Sequence, residues 1–262
     1  LRGFSAFVTI MALLLIVAGA LVTSNDAGGA IPDWPLAWGR LVPPLEGGII
    51  YAYGHRVLAE TVAALAFVLG WKTRMWLPFA VILAQALVGG LATRMVLPKL
   101  TVLIHACLAQ LAFGSLVYAT ARPFFGSQAG RSLPAPQVAA AVALFAQTIL
   151  GAALRHQLIG LAPHLAGAGI ATLLVLWAVV PTMLDHMAEA GALLGITAFQ
   201  VFLGMGAYLS RSLTTVQPMP MMVWFTAAHV AVGSMAFGAA IVLALACSRR
   251  RTEGNLGGMA VA

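Results

Sequence analysis

Charge is what this sequence has least of. Lys, Arg, Asp and Glu supply 8% of its 262 residues, against roughly 25% in a soluble domain. Hydrophobic residues make up 61%, and the mean hydropathy is +0.98. Water-soluble packing cannot hide that much apolar surface, so the solvent is a bilayer. Strand-like alternation is also missing, which argues against a β-barrel. Cysteine is scarce: Cys107 and Cys247 both lie in or at the end of apolar runs, which makes a structural disulfide unexpected. The net charge is +7, yet only Arg249, Arg250 and Arg251 cluster. A nucleic-acid footprint would be a patch or stripe, so no nucleic-acid partner is expected.

What is present is a series of apolar runs of the roughly 20 residues that a spanning helix needs. Eight helices are expected, at about 4–22, 49–70, 76–93, 100–120, 136–154, 163–181, 190–209 and 222–247. The chain starts at Leu1, and its first apolar run has the look of a signal peptide. It is read as a retained helix, because eight spans pair off. With both termini on one side, that side carries Arg2, Lys72, Arg74, Arg122, Arg131, Arg249, Arg250 and Arg251. The other side carries Arg40, Arg56, Arg94, Lys99, Arg155 and Arg211. The excess puts both termini in the cytoplasm and the long 23–48 loop outside.

A repeat runs through the helices. Gln85-x-x-x-Gly89, Gln147-x-x-x-Gly151 and Gln200-x-x-x-Gly204 each lie in an odd-numbered helix. An arginine follows each near the outer end: Arg94, Arg155 and Arg211. The next helix then opens on a histidine: His105, His164 and His229. Helices one and two form a degenerate copy, without the glutamine but with His55-Arg56. Gln and Gly four apart share a helix face. The plain reading of these pairs is close helix packing with an amide bonding across.

The repeat predicts an all-α integral membrane protein of eight transmembrane helices in two pseudo-symmetric four-helix bundles. The halves are 1–120 and 136–247, joined by a cytoplasmic connector at 121–135 and followed by a tail at 248–262.

Four histidines then fall at one depth, near the outer ends of helices 2, 4, 6 and 8. A lone histidine in an apolar helix is usually a packed residue. Four at equivalent places point to ligation, since polar groups in a membrane are costly and tend to be functional. Zinc wants four converging ligands. Four histidines spread over two repeats converge more naturally as two pairs, and facing imidazoles suit haem iron. The outer arginines, Arg56, Arg94, Arg155 and Arg211, are at the depth of haem propionates; the alternative for each is a snorkelling anchor. His156 and His186 are read as solvated loop residues.

These motifs resemble the haem A synthase (cytochrome oxidase assembly) family of eight-helix membrane proteins. The residues that carry the resemblance are Val22-Thr23-Ser24-Asn25-Asp26-Ala27-Gly28, Pro32-Asp33-Trp34-Pro35-Leu36 and Gly54-His55-Arg56. To these add Leu154-Arg155-His156 and Phe202-Leu203-Gly204-Met205-Gly206 leading to Ala228-His229. The resemblance implies oxidation of the C8 methyl of haem O to the formyl group of haem A. It implies that His55 and His105 bracket the substrate haem, and that His164 and His229 ligate a b-type haem that relays electrons. It also implies a bacterial-type plasma membrane, an upstream haem O-making farnesyltransferase and a terminal oxidase as recipient; an oligomer is possible within this reading.

Two departures stand out. The family usually has a glutamate three residues before the helix 2 histidine; here that position is Ala52. Alanine cannot act as acid or base, so the catalytic residue is left unassigned. Glu60 is about 7–8 Å deeper and about 140° round the helix from His55. Glu46 sits in the loop, and Tyr51 and Tyr53 are poor bases near neutral pH. The outer-loop cysteine pair of some members is also absent. The connector at 155–162 is short where the N-terminal copy has a long loop, so the long loop is expected to cap only the first site. Two other readings stay open: a bis-histidine haem protein that carries electrons or haem without oxidising it, and a transporter. Transporters favour broken helices near the midplane, and these histidines are at the outer edge.

Overall fold

Proline and glycine punctuate the chain, and each apolar run between them is a helix. The computed structural model describes residues 1–93, 98–126, 129–130, 132–213 and 218–259. Its helices are α1 (Arg2–Ser24), α2 (Gly48–Thr73), α3 (Leu77–Ala92), α4 (Pro98–Ala121), α5 (Ala135–Arg155), α6 (Leu161–Val179), α7 (Met187–Ser212) and α8 (Pro220–Met259). Short 3-10 turns occupy Ala27–Gly29, Arg122–Phe124 and Val180–Thr182. Pro78 and Pro136 sit in first turns, where a missing N–H costs nothing. α2 stops at Arg74, which takes a left-handed φ of 61° and returns its N–H to the Gly70 carbonyl.

All eight expected helices are present, most of them extended by one to three residues at an end. Among the described residues, seven helices are long and apolar enough to cross a membrane. The exception is α3, with 16 residues, about 24 Å of helix against a hydrocarbon core of about 30 Å. A second difference is at the C-terminus. The expected tail from Ser248 begins as helix, because α8 runs on to Met259. Ser248 is buried, and its hydroxyl accepts the Gly130 N–H, which ties the α4–α5 connector to α8.

Each run of four helices packs in a closed circuit. α1 meets α2 and α4, and α3 meets α2 and α4. Likewise α5 meets α6 and α8, and α7 meets α6 and α8. One apolar core joins Val8, Leu15, Val62, Leu69, Ile82 and Leu116 from α1 to α4. A separate core joins Leu144, Val175, Val179, Leu193 and Leu243 from α5 to α8. The two sets meet chiefly where α8 contacts α1 and α4, and where α4 contacts α5.

The α4–α8 crossing is reciprocal. Gly114 lies against Phe237, and Gly238 lies against Phe113. Gln110 Nε2 donates to Ser234 Oγ at 2.9 Å, across a separation of 124 residues. The same separation relates Phe113 to Phe237, Gly114 to Gly238 and His105 to His229. Small residues let two helix backbones approach where no hydrophobic force drives them together.

A candidate site of two histidine pairs and a folded cap

Each of the four histidines of the repeat is seated on a glycine of the preceding helix. An added Cβ would meet the ring Cε1 of His105 at 2.7 Å from Gly89, and that of His229 at 2.8 Å from Gly204. It would meet His55 at 3.2 Å from Gly19, and His164 at 3.3 Å from Gly151. The packing glycines of the sequence reading are therefore the floor of the histidine sites. Gly19 completes the degenerate first copy, with Leu15 where the other copies have glutamine. It was hidden because the glutamine that flags the others is missing.

The rings meet in pairs. His55 and His105 have centroids 6.4 Å apart at 75°. His164 and His229 have centroids 6.3 Å apart, also at 75°. Main-chain carbonyls of the neighbouring helix hold two of the rings: His105 Nδ1 to Gln85 O at 2.9 Å, and His229 Nδ1 to Gln200 O at 3.1 Å. A carbonyl can only accept, so both Nδ1 atoms carry hydrogen and both Nε2 atoms present a lone pair. Among the described residues no cluster of three or more His, Cys, Asp and Glu is placed to hold a metal ion.

A folded cap from the 25–47 loop packs beside the first pair, on α2 at Ala52, Tyr53 and Arg56 and on α3 at Gly90. Its centre is a tight turn in which Ala37 and Arg40 exchange backbone hydrogen bonds of 2.9 and 3.1 Å. Trp38 and Gly39 both take positive φ, at 55° and 68°. Glycine accepts this freely and tryptophan does not. The Asp33 carboxylate supports the turn: Oδ1 accepts from the Trp38 N–H at 2.6 Å, and Oδ2 from the Gly39 N–H at 2.7 Å. The Gly39 bond heads the influences that hold the Asp33 carboxyl below its ordinary value. Trp34 lies on α3 at Gly90, where an added Cβ would fall 2.5 Å from its ring.

Arg56, expected at a propionate, is spent on the cap. Its Nη1 donates to the Asp33 and Leu36 carbonyls at 2.8 and 2.9 Å, and its Nη2 to Ile31 O at 3.3 Å. Tyr53 adds a bond from its hydroxyl to Leu41 O at 3.0 Å. Sequence gave no signal for these bonds, since main-chain acceptors carry no side-chain signature. Ala52 is buried beneath the cap with Ile31 and Ala37. Tyr51, Glu46 and Glu60 are exposed.

The remaining arginines differ in their surroundings. Arg155 Nη2 donates to Thr23 O at 2.5 Å, bridging the end of α5 to the end of α1. Its charged neighbours are Arg211 and Asp26. Arg211 is exposed in the last turn of α7, and Arg94 lies outside the described residues. His156 is half-buried, not solvated as expected. Burial, then the charge of Arg155 and the nearby His105, push its pKa below the ordinary histidine value. His186 is half-buried at the start of α7.

Fold and site together define a class: a polytopic α-helical integral membrane protein that presents two facing imidazole pairs. No family model matches the chain. Seven curated proteins do match part of it, and those named below are all called heme A synthase. The chain is 38% identical to that of Symbiobacterium thermophilum over 77 residues, 29% of this chain and 25% of the relative. It is 37% identical to that of an Exiguobacterium species over 71 residues, 26% and 24% of the two chains. It is 35% identical to that of Rhizobium leguminosarum over 79 residues, 26% and 22%. The matched stretch spans about a quarter of the length of these relatives. Over that stretch the chain is similar to the haem A synthase family, the one its motifs resemble.

Proposed function

We propose that this protein is a haem A synthase-type membrane oxidoreductase, which oxidises the C8 methyl of haem O to the formyl group of haem A. The observation that carries the reading is the equal spacing of the two histidine pairs. Metal–imidazole nitrogen bonds are about 2.0 Å, and a ring nitrogen lies about 1.1–1.2 Å from its ring centre. Two imidazoles on one iron therefore place their centroids about 6.3 Å apart. The pairs stand at 6.4 and 6.3 Å, so the residues fit the group.

In this reading the eight helices form two pseudo-symmetric four-helix bundles, 1–120 and 136–247, which the two helix circuits and two separate cores support. His55 and His105 would hold the substrate haem O, and His164 and His229 a haem b. A bound haem supplies the redox centre. The chain's own residues orient the rings on glycine floors, and cap the first site with a loop held by Asp33 and Arg56. Arg94, Arg155 and Arg211 would meet propionates at the outer edge, and Arg56 would do so where its cap bonds leave a donor. The asymmetry of one capped and one plain site suits substrate turnover in the first and electron relay in the second. A haem O-making farnesyltransferase and a terminal oxidase under assembly would be the partners. The setting would be a bacterial-type plasma membrane with both termini in the cytoplasm.

A second reading is favoured by one observation. Ala52 stands where the family has glutamate and is buried in an apolar cluster with Ile31 and Ala37. A bis-histidine haem protein for electron transfer or haem carriage needs no carboxylate there. Optical spectra and haem extraction of the purified protein, supplied with haem O, separate the two. Haem A or its hydroxylated precursor in the extract supports the oxidase. A bis-histidine spectrum with haem B alone leaves the carrier, and no haem at all overturns both.

A further inference from the structure

The two histidine pairs differ in what already sits on their nitrogens. In the α2/α4 pair, His105 turns Nδ1–H to Gln85 O and leaves Nε2 with its lone pair. His55 has Leu15 in place of a glutamine, and its Nδ1 makes no hydrogen bond of good geometry among the described residues. In the α6/α8 pair, glutamine carboxamides occupy both rings. Gln200 grips His229 twice: its carbonyl takes Nδ1–H at 3.1 Å, and its side-chain Nε2 lies 3.3 Å from His229 Nε2. That second nitrogen carries the lone pair that a metal would use, so the amide N–H is its occupant.

His164 is set the opposite way. Gln147 Nε2 donates to the His164 carbonyl at 2.9 Å, which fixes which end of the amide is the NH2. Its other hydrogen faces His164 Nδ1 at 3.1 Å. Nδ1 is then the acceptor, and the ring hydrogen sits on Nε2. The oxygens of both amides, Gln147 Oε1 and Gln200 Oε1, are buried without a hydrogen-bond partner. Buried carbonyl oxygens usually find a donor. Releasing the His164 carbonyl and swinging the Gln147 amide so that its oxygen meets His164 Nδ1 would hold the ring hydrogen there and leave Nε2 free.

We propose that Gln147 and Gln200 are a latch on the α6/α8 histidine pair: Gln200 occupies the lone pair of His229 Nε2, Gln147 keeps the ring hydrogen of His164 on Nε2, and haem loads that pair only once both amides move. The α2/α4 pair has Leu15 at the position equivalent on the His55 side, and on the other side Gln85 meets His105 through its main-chain carbonyl at Nδ1, so this pair accepts haem without that rearrangement. The inference rests on the haem-ligation reading above. Gln147 and Gln200 are positioning residues; neither is assigned to the iron. A hydrogen bond from the ring's outer nitrogen to an amide oxygen is the kind of second partner that orients ligating histidines.

The test is made on full-length protein in detergent, purified free of haem, with ferric haem b titrated in. His105→Ala removes the α2/α4 pair, so the low-spin bis-histidine Soret band reports α6/α8 alone. In that background Gln200→Leu, which copies Leu15, and Gln200→Met, which keeps the length without a donor, are compared with Gln200. Losing one competing hydrogen bond should tighten or speed loading about five- to tenfold. In the reciprocal His229→Ala background the same Gln200 variants should leave loading of α2/α4 unchanged. Unchanged or weaker loading of α6/α8 by both Gln200 variants overturns the latch while the ligation reading stands. No bis-histidine band in the His105→Ala protein overturns both.

Discussion

At the scale of single residues, the glycine under each histidine decides whether the ring can hold its place. An alanine gains about 1 kcal/mol of helix propensity over glycine. A Cβ forced into a packed ring costs about 1–3 kcal/mol. At Gly89 and Gly204 the Cβ would lie 2.7 and 2.8 Å from the ring, where the clash wins. At Gly19 and Gly151 it would lie 3.2 and 3.3 Å away, where the two terms nearly cancel. Gly89→Ala and Gly204→Ala should therefore each lose most of the haem of their own pair. Gly19→Ala and Gly151→Ala should keep most of it, as read by haem per protein. Asp33 carries a pH dependence. Its carboxyl is held below the ordinary 3.8, so its support of the cap is full above that value. It is lost as pH falls through the lower folded value. Trp38 fluorescence in a variant that keeps Trp38 as the sole tryptophan should change below about pH 4, and Asp33→Asn should show the acid form at neutral pH.

At the scale of elements, the helices were legible because apolar run length and proline placement are local properties. The C-terminal end of α8 was not, since Arg249, Arg250 and Arg251 read as a membrane stop, and a helix can outlast its apolar stretch. The α4–α8 crossing was invisible for another reason: Gly114 and Phe237 are 123 residues apart, and nothing local pairs them. It predicts a mutational asymmetry. A Cβ at Gly114 would lie 2.6 Å from Phe237, and one at Gly238 would lie 3.3 Å from Phe113. Gly114→Ala should lower the thermal midpoint in detergent, at a cost of about 1–3 kcal/mol. Adding Phe237→Leu should restore part of that loss, and Gly238→Ala should cost less than Gly114→Ala.

At the scale of the whole molecule, the sequence repeat singled out the four histidines, because four copies of one pattern at one depth outweigh any single residue; which of them pair was implied only by the family resemblance. The cap's construction was beyond it. Arg56 serves three loop carbonyls, and Ala52 belongs to the apolar seat of that loop. The seat shapes what Ala52→Glu would do. A carboxyl pushed under Ile31 and Ala37 costs about 1–3 kcal/mol without a partner, so the cap should lift before any chemistry is gained. Limited proteolysis within residues 36–45 should speed up in Ala52→Glu. Arg56→Ala should have the same effect by a different cause, the loss of the carbonyl clamp.

Gly89 and Gly90 stand side by side near the end of α3, the shortest of the eight helices. One supports the His105 ring and the other supports Trp34 of the cap. Two adjacent glycines are also where a helix resists unwinding least. Lid and ligand thus share one weak backbone segment. Fraying of that single turn would release both together, so the first site would open as one local unfolding unit and not as two independent motions.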